Sequence, residues 1–471
     1  MNTFFIEQFG CRATQADGAA IERQLREQGS ILARDSSTAD VVVLNTCTVT
    51  AAADAQARDA IRKIHAANPA ARILVTGCYA QRAPEEIAAL PGVSFVVGNS
   101  HKPQIPRLLH SIAHLQQPSR SETQFAGVEL APPTRSATQD FPHQVAPILS
   151  GNVFDLTEVL VAPVLGGEGN HTRPTLKIQD GCNSRCSFCV IPFVRGRSRS
   201  LPPETVLSEI RRLSGSGFRE IVLSGINLGT YGRDLRPRAG FLDLLRRILE
   251  ETSVERLRIS SIEPLDVTQD LIDFFASDDR IAPHFHMPLQ SASDRILAAM
   301  HRWYRAEHYS RRVELIHDRL PNAAIGADVI TGFPGESDAD HVATLDFIAA
   351  RPFTYLHVFS FSLRPGTKAA TLSGQLPGHR IKTRARELRS LADSKSAAFR
   401  RSQIGRRLRV LTLGRDPADD PDLTPALSEN YLQVSLRAAF PPNQFVDATI
   451  ASETGKHMLA EPLGTTAFCG N

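Results

Sequence analysis

At 471 residues the chain is too long for one compact core and long enough for about three domains of ordinary size. Its 42% hydrophobic and 22% charged content is that of a globular protein, and no stretch has the length and apolarity of a membrane helix. The start, Met1-Asn2-Thr3-Phe4-Phe5-Ile6-Glu7, lacks the basic region that opens a signal peptide, so the expectation is a cytoplasmic protein with no membrane partner.

In chain order, residues 3–9 are apolar and aromatic, residues 16–28 have the pattern of a helix closed by Gly29, and residues 40–45 are a buried-strand run. An alanine-rich helix over 53–67, a strand at 72–76 and another at 93–97 follow. Such alternation predicts a parallel sheet with right-handed crossovers. Cys11, Cys47 and Cys78 each fall just past the C-terminal end of a predicted strand, and in an open parallel sheet those ends share one edge, where ligand sites form. Any one of the three reads by default as a buried structural cysteine; three at the same topological position point to a metal site.

Residues 115–173 break the pattern. Pro118, Pro132, Pro133, Pro142, Pro147 and Pro163, among many Ser, Thr and Gly, predict an irregular linker or inserted hairpin. Strand and helix signals then alternate again, with strands at 176–178, 220–223, 256–259, 284–287, 324–330 and 355–359 and helices such as 203–213 and 241–250. Six β/α units suffice for a partial (β/α)6 barrel whose functional groups lie at the strand C-terminal ends. A basic run from Arg380 to Arg409 is opposed only by Glu387 and Asp393, and reads either as a solvated helix face or as a surface for phosphates. Short strands at 408–413, 431–436 and 445–450 close the chain as a small antiparallel β-barrel. The fold class is α/β, divided as 1–114, a linker or insertion at 115–173, 174–400 and 401–471.

Six of the seven cysteines fall into two trios, and Cys469 stands alone without an assigned role. A reducing compartment argues against disulfides. In Asp180-Gly181-Cys182-Asn183-Ser184-Arg185-Cys186-Ser187-Phe188-Cys189, directly after the first barrel strand, three thiolates in a C-x3-C-x2-C loop can wrap one face of a 4Fe–4S cube and leave one iron open. A structural zinc site wants four protein ligands, and a fourth is missing nearby. Phe188 is either a wall for a bound group or a loop anchor. Ser224 and Asn227, Ser260 and Glu263, and Gln290 sit at strand ends where polar groups meet a cofactor or simply make turns, and Gly332 and Gly335 permit close backbone approach.

Taken with Phe9-Gly10-Cys11-Arg12, Asn45-Thr46-Cys47-Thr48-Val49-Thr50, Thr76-Gly77-Cys78-Tyr79-Ala80, Ser260-Ser261-Ile262-Glu263-Pro264, Pro288-Leu289-Gln290-Ser291 and Gly332-Phe333-Pro334-Gly335-Glu336, the chain resembles the radical S-adenosylmethionine methylthiotransferases. Within them it resembles most the branch acting on threonylcarbamoyladenosine 37 of transfer RNA. The resemblance implies a flavodoxin-like N-terminal domain with a 4Fe–4S cluster on Cys11, Cys47 and Cys78. It implies a radical cluster on Cys182, Cys186 and Cys189 that binds and cleaves S-adenosylmethionine, with Phe188, Ser224, Asn227, Ser260, Glu263 and Gln290 as candidates for holding that cofactor. It also implies a C-terminal TRAM barrel that contacts RNA. Implied partners are the tRNA anticodon loop, whose bases can be unstacked, an electron donor such as flavodoxin or ferredoxin, and a sulfur donor. Arg195, Arg197 and Arg199, beside the cluster loop, are candidates for gripping phosphate or base, or else for ion pairs within the domain. A methylthiotransferase acting on isopentenyladenosine or on a ribosomal-protein aspartate, and a non-catalytic iron–sulfur RNA-binding sensor, are the alternatives at this point.

Overall fold

The computed structural model describes residues 3–114, 145–164, 172–416 and 420–463. Cys469 and most of the 115–173 stretch lie outside the described residues. The chain divides into two compact units: Met1–Gly10, Ala20–Thr48 and Ala52–Val153 form the first, and Cys11–Ala19, Val49–Ala51 and Phe154–Asn471 form the second.

The first unit is built on the strands β1 (Thr3–Gln8), β2 (Ile31–Leu32), β3 (Val41–Thr46), β4 (Arg72–Gly77), β5 (Val93–Val97) and β6 (Ile148–Leu149). They lie in the order β2-β1-β3-β4-β5-β6, every pair parallel. The first five strands follow the flavodoxin-like order, which switches direction between β1 and β3. All six residues of β3 are buried, because helices cover both faces of the sheet. Ala57, Ile61 and Ile64 of helix Ala51–Ala67 pack on Val42, Leu44, Ile73 and Val75, while Ile21 and Leu25 of helix Arg12–Glu27 pack on Phe4, Val41, Val43 and Leu74. The latter helix starts earlier than its apolar periodicity suggests. In the proline-rich stretch, β6 joins the edge of this sheet, so part of the expected linker is structured.

The second unit carries β7 (Pro163–Val164), β8 (Thr175–Asp180), β9 (Arg199–Ser200), β10 (Glu220–Gly225), β11 (Arg256–Ile259), β12 (His284–Gln290), β13 (Ala324–Thr331) and β14 (Tyr355–Ser360). One ladder runs β11-β10-β8-β7 and another β12-β13-β14, and the isolated parallel bridges Leu257↔Ile281 and Ser261↔His286 link them. The six expected strands, β8, β10, β11, β12, β13 and β14, thus follow one another as an open, parallel barrel, with its apolar core between strands and covering helices. The chain ends in a closed barrel, β15 (Arg407–Thr412), β16 (Thr424–Ser428), β17 (Gln433–Leu436), β18 (Phe445–Thr454) and β19 (His457–Pro462), in the order β15-β16-β17-β19-β18. It is antiparallel except where β17 meets β19. Strands β16 and β19 escape the sequence reading because Pro425, Pro462 and charged residues dilute their pattern.

Glu220 ties the two barrels of this unit together. It is fully buried and accepts from Arg258 Nε at 2.8 Å, Arg173 at 3.3 Å and Arg256 at 3.4 Å. Arg258 in turn donates to the carbonyls of Ser428 and Glu429, at 3.1 Å each, in the small barrel. Burial opposes the carboxylate charge, but Arg258 and Arg173 overcome it and hold the Glu220 pKa down at about 2, from 4.5. A depressed carboxylate stabilises the fold fully above its unfolded pKa, and that contribution is lost as pH falls from about 4.5 toward 2. Thermal melts between pH 6 and 2 should therefore show an acid-side drop that shrinks in Glu220→Gln. At neutral pH the same variant, with three arginines left short of a counter-charge, should lose about 3–5 kcal/mol in denaturant titration.

Candidate functional site

Strand β8 places the cysteine loop. Its last residue, Asp180, accepts the Gly181 N–H at 2.8 Å, and the loop then turns at Gly181, whose φ is +71°. A side chain there would collide with the Arg197 carbonyl, so only glycine fits. The Gln179 side chain donates to the Gly181 carbonyl at 2.8 Å and to Ser198 Oγ at 3.0 Å, and accepts the Asn227 N–H at 2.7 Å. Cys182 N–H reaches the Gly196 carbonyl at 3.1 Å, and Ser187 is held by the carbonyls of Met300 and Ala299. The loop is thus tied at Gly181 to β8 and at Cys182 and Ser187 to the ends of two short helices.

Beneath it lies a quartet of buried charges. Lys177 pairs with Asp180 at 2.8 Å and, more closely, with Asp17; Arg195 forks onto both oxygens of Asp180 at 2.9 and 3.0 Å and reaches Asp17 at 3.0 Å. Burial disfavours the charge on Lys177, yet Asp17 and Asp180 hold its pKa above the ordinary lysine value. For Asp180 the opposing burial is likewise overcome, by Arg195 and Lys177, and its pKa lies well below the carboxylate range. Arg195 also donates to Thr14 Oγ1 at 3.3 Å, which meets Cys11 Sγ at 3.6 Å.

The donor set fits an iron–sulfur cluster. Burial pushes the Cys189 thiol up to about 12 and also raises Cys186, whose sulfur accepts from Arg302 Nη1 at 3.3 Å. Thiols so desolvated become thiolates only against strong positive charge, which iron supplies. Arg302 is itself fixed by an ion pair to Glu263. S-Adenosylmethionine needs hydrogen-bonding partners for its ammonium and ribose hydroxyls, and Asn227 Oδ1, Ser260 Oγ and Gln290 Oε1 are buried without one. Asn227 and Glu263 line a cavity of about 600 Å³ with Arg302 and Tyr304. Gln290, in the left-handed region at φ 62°, lines a second cavity with Phe188, Cys189 and Asp328. Phe188 also packs against the cluster of Ile296, Met300, Phe333 and Ala369, as the loop-anchor reading expects. Ser224 is buried on β10, beside a register shift against β8.

In the first unit, Cys47 and Cys78 follow directly on the adjacent parallel strands β3 and β4; Cys11, three residues past the end of β1 in sequence, opens the segment Cys11–Ala19 of the second unit. Cys78 Sγ accepts from Asn99 Nδ2 at 3.6 Å. Gly10, at φ +98°, comes so close to Cys47 that a Cβ would lie 2.8 Å from its sulfur.

The structure bears on two readings that the sequence left open. Arg195 and Arg199 are buried, and their donors go to Asp180, Asp17, Thr14 and the carbonyls of Glu158, Arg195 and Arg197, the ion-pair alternative; of the three arginines Arg197 is exposed. The basic run is a helix, Gly378–Ser402, followed by β15, and part of its charge is spent internally: Arg384 pairs with Glu336 and Asp338, and Arg400 with Glu453. Lys382, Arg386, Arg401 and Arg407 remain exposed. Arg302 and the Asp17–Lys177 pair went unread; polar residues alternating along an otherwise apolar barrel strand, as Lys177 and Gln179 do, were the available signal.

A six-strand open barrel with a three-cysteine loop after its first strand is the architecture of radical S-adenosylmethionine enzymes. Residues 176–348 match the family described as the radical SAM superfamily, and residues 3–98 match the uncharacterized protein family UPF0004. The chain is 35% identical, over 91% of its length and 95% of the relative's, to the threonylcarbamoyladenosine tRNA methylthiotransferase MtaB of Aquifex aeolicus. It is 33% identical, over 99% of its length and 86% of the relative's, to the tRNA-2-methylthio-N(6)-dimethylallyladenosine synthase of Paenarthrobacter aurescens. In fold it is similar to the radical S-adenosylmethionine methyltransferase TsrM from Kitasatospora setae, with a TM-score of 0.54 at 16% identity, covering 79% of this chain and 75% of that one. The chain belongs to the radical S-adenosylmethionine methylthiotransferases, whose cofactors are 4Fe–4S clusters and S-adenosylmethionine.

Asp180 anchors both the quartet and the loop turn. Asp180→Ala leaves Lys177 and Arg195 facing Asp17 alone, and is expected to destabilise by about 3–5 kcal/mol. Amide exchange over residues 181–189 should speed up more than over the C-terminal barrel, measured by hydrogen–deuterium exchange mass spectrometry.

Proposed function

We propose that the enzyme adds a methylthio group at C2 of N6-threonylcarbamoyladenosine at position 37 of tRNA. Cys182, Cys186 and Cys189 hold the radical cluster in this reading, and Cys11, Cys47 and Cys78 hold the second one. The observation that carries it is the pairing of both trios on a chain that spans nearly the whole of an MtaB relative. Supporting the threonylcarbamoyl branch are Cys11-Arg12 and Thr48-Val49-Thr50. The cavity beside Cys189 is walled mainly by apolar side chains, with Gln290, Asp328, Ser360 and Ser362 as polar positions that can receive N–H and hydroxyl groups. The 33% identity to a dimethylallyladenosine synthase keeps that substrate as the second reading.

When bound, the radical cluster with S-adenosylmethionine supplies one-electron chemistry able to act at an aromatic C–H, where acid–base groups find no acidic proton. The chain's own residues position and shield. Arg302 keeps a cation on the Cys186 sulfur, and Gln179 and Asp180 fix the loop. Asn227, Ser260 and Gln290 offer acceptors to the cofactor, and Phe188 with Ile330 and Phe361 keeps water from the cavity wall. Arg197, Lys382, Arg386, Arg401 and Arg407 face the phosphates of the anticodon arm. A cytoplasmic electron donor of the flavodoxin or ferredoxin kind and a sulfur donor complete the reaction.

Nucleoside mass spectrometry of tRNA from a deletion strain should show loss of the methylthio derivative of threonylcarbamoyladenosine, with the dimethylallyl derivative intact; the reverse result establishes the second reading. The reconstituted protein should hold about eight irons per chain, and Cys182→Ala or Cys11→Ala about four. Cys182→Ala should abolish formation of 5′-deoxyadenosine, whereas Cys11→Ala should retain it and lose only methylthiolation. Methylthiolation undiminished in Cys11→Ala would refute the division of labour.

A further inference from the structure

Inside the open barrel, on its β12–β14 side, lies a set of side chains of which the proposed reaction uses only Asp328, as part of the cavity wall. His286 Nε2 stands 3.0 Å from Asp328 Oδ1, and His357 Nδ1 stands 3.3 Å from the same oxygen. All three atoms lie within 4.8 Å of one another, and among the described residues no other trio of His, Cys, Asp or Glu meets that measure. Strand register builds the set. Asp328 on β13 lies opposite His357 on β14 and opposite Pro288 on β12, two residues along from His286 on the same face.

Metal–ligand bonds of about 2.0–2.2 Å put neighbouring ligand atoms roughly 3.0–3.4 Å apart, as both carboxylate–imidazole pairs are here, with the two imidazole nitrogens within 4.8 Å. The far nitrogen of His286, Nδ1, meets the Tyr355 hydroxyl at 3.0 Å. Such an outer hydrogen bond orients the ring of a metal-ligating histidine. We propose that His286, Asp328 and His357 bind a divalent transition-metal ion of the zinc(II) or iron(II) class, separate from both cysteine trios. Two imidazoles and one carboxylate leave coordination positions open. Asp328 also lines the cavity of Phe188, Cys189 and Gln290, so those positions are open to oxygen ligands entering it: carboxylate, hydroxyl or water. The competing arrangement is a carboxylate that only accepts N–H groups from two imidazoles, and it holds no metal.

Metal counting separates the two. The full-length protein, reconstituted anaerobically so that its thiols carry iron and sulfide, is equilibrated with zinc sulfate, desalted and analysed for zinc and iron together. The expected result is about one zinc per chain with iron unchanged, and binding weakened roughly tenfold or more in both His357→Ala and Asp328→Asn. His357 is exposed, and asparagine keeps an oxygen to accept the imidazole N–H groups, so both variants should fold. X-ray absorption at the zinc edge should show nitrogen and oxygen neighbours without sulfur. Absence of stoichiometric zinc, a sulfur shell, or binding undiminished in either variant overturns the site.

Discussion

The cysteine loop depends on a neutral quartet of buried charges at the end of β8. Asp17, Lys177, Asp180 and Arg195 are each nearly solvent-free, and each charge has two partners of opposite sign. A buried ion pair repays its desolvation only when geometry is good and the remaining hydrogen bonds are filled. Here Asp180 fills its last acceptor position with the Gly181 N–H, so electrostatic satisfaction and loop direction are one constraint. Because Asp17 belongs to the segment that opens with Cys11, the same quartet fixes residues of both cysteine motifs by charge rather than by apolar packing, which has little direction.

The barrel interior extends this logic. An ordinary small barrel fills its inside with branched apolar side chains. This one carries Lys177, Gln179, Arg258, His284, His286, Asp328 and Tyr355 on strands whose other face is apolar. Buried polar groups of this kind demand partners, and they find them in one another: Tyr355 bridges His284 at 2.7 Å and His286 at 3.0 Å. Burial first, then Arg258 and His286, drive the His284 pKa well below its ordinary value, so that ring is neutral and the interior carries no surplus charge there. A polar lumen held by short contacts gives precise positions to side chains that a fluid apolar filling would leave adaptable.

How much of this could be read in advance follows from what generates each feature. Strands were legible where, as in β3 and β10, they hold a continuous apolar run bounded by turns, and Cys47 and Cys78 stand directly after β3 and β4. The trios were legible because metal ligands must be the right atoms near the right ends. The roles of Arg195 and Arg199 were not. An arginine beside a reactive loop has the same letter whether it faces a phosphate or a buried carboxylate, and Asp17 is far from it in sequence. Arg302 was missed for the same reason, since its target sulfur belongs to another loop. His286, Asp328 and His357 are each unremarkable alone and come together only through the register of three strands.

The far end of the barrel explains why chemistry is confined to one mouth. Tyr431, from the turn between β16 and β17, holds a left-handed φ of 69° and stacks on His284 at 4.4 Å, with Arg258 at 5.4 Å from its ring. Arg258 at the same time spans Glu220 and the small barrel's carbonyls. The N-terminal ends of the strands are therefore tied to the small barrel by aromatic stacking and charged hydrogen bonds. At the C-terminal ends, where Gly181, Gly225 and the left-handed Gln290 break strand geometry, Asn227, Ser260 and Gln290 present unsatisfied oxygens. One end of the parallel barrel is spent on joining the small barrel, and the other carries the cysteine loop and the two cavities beside it.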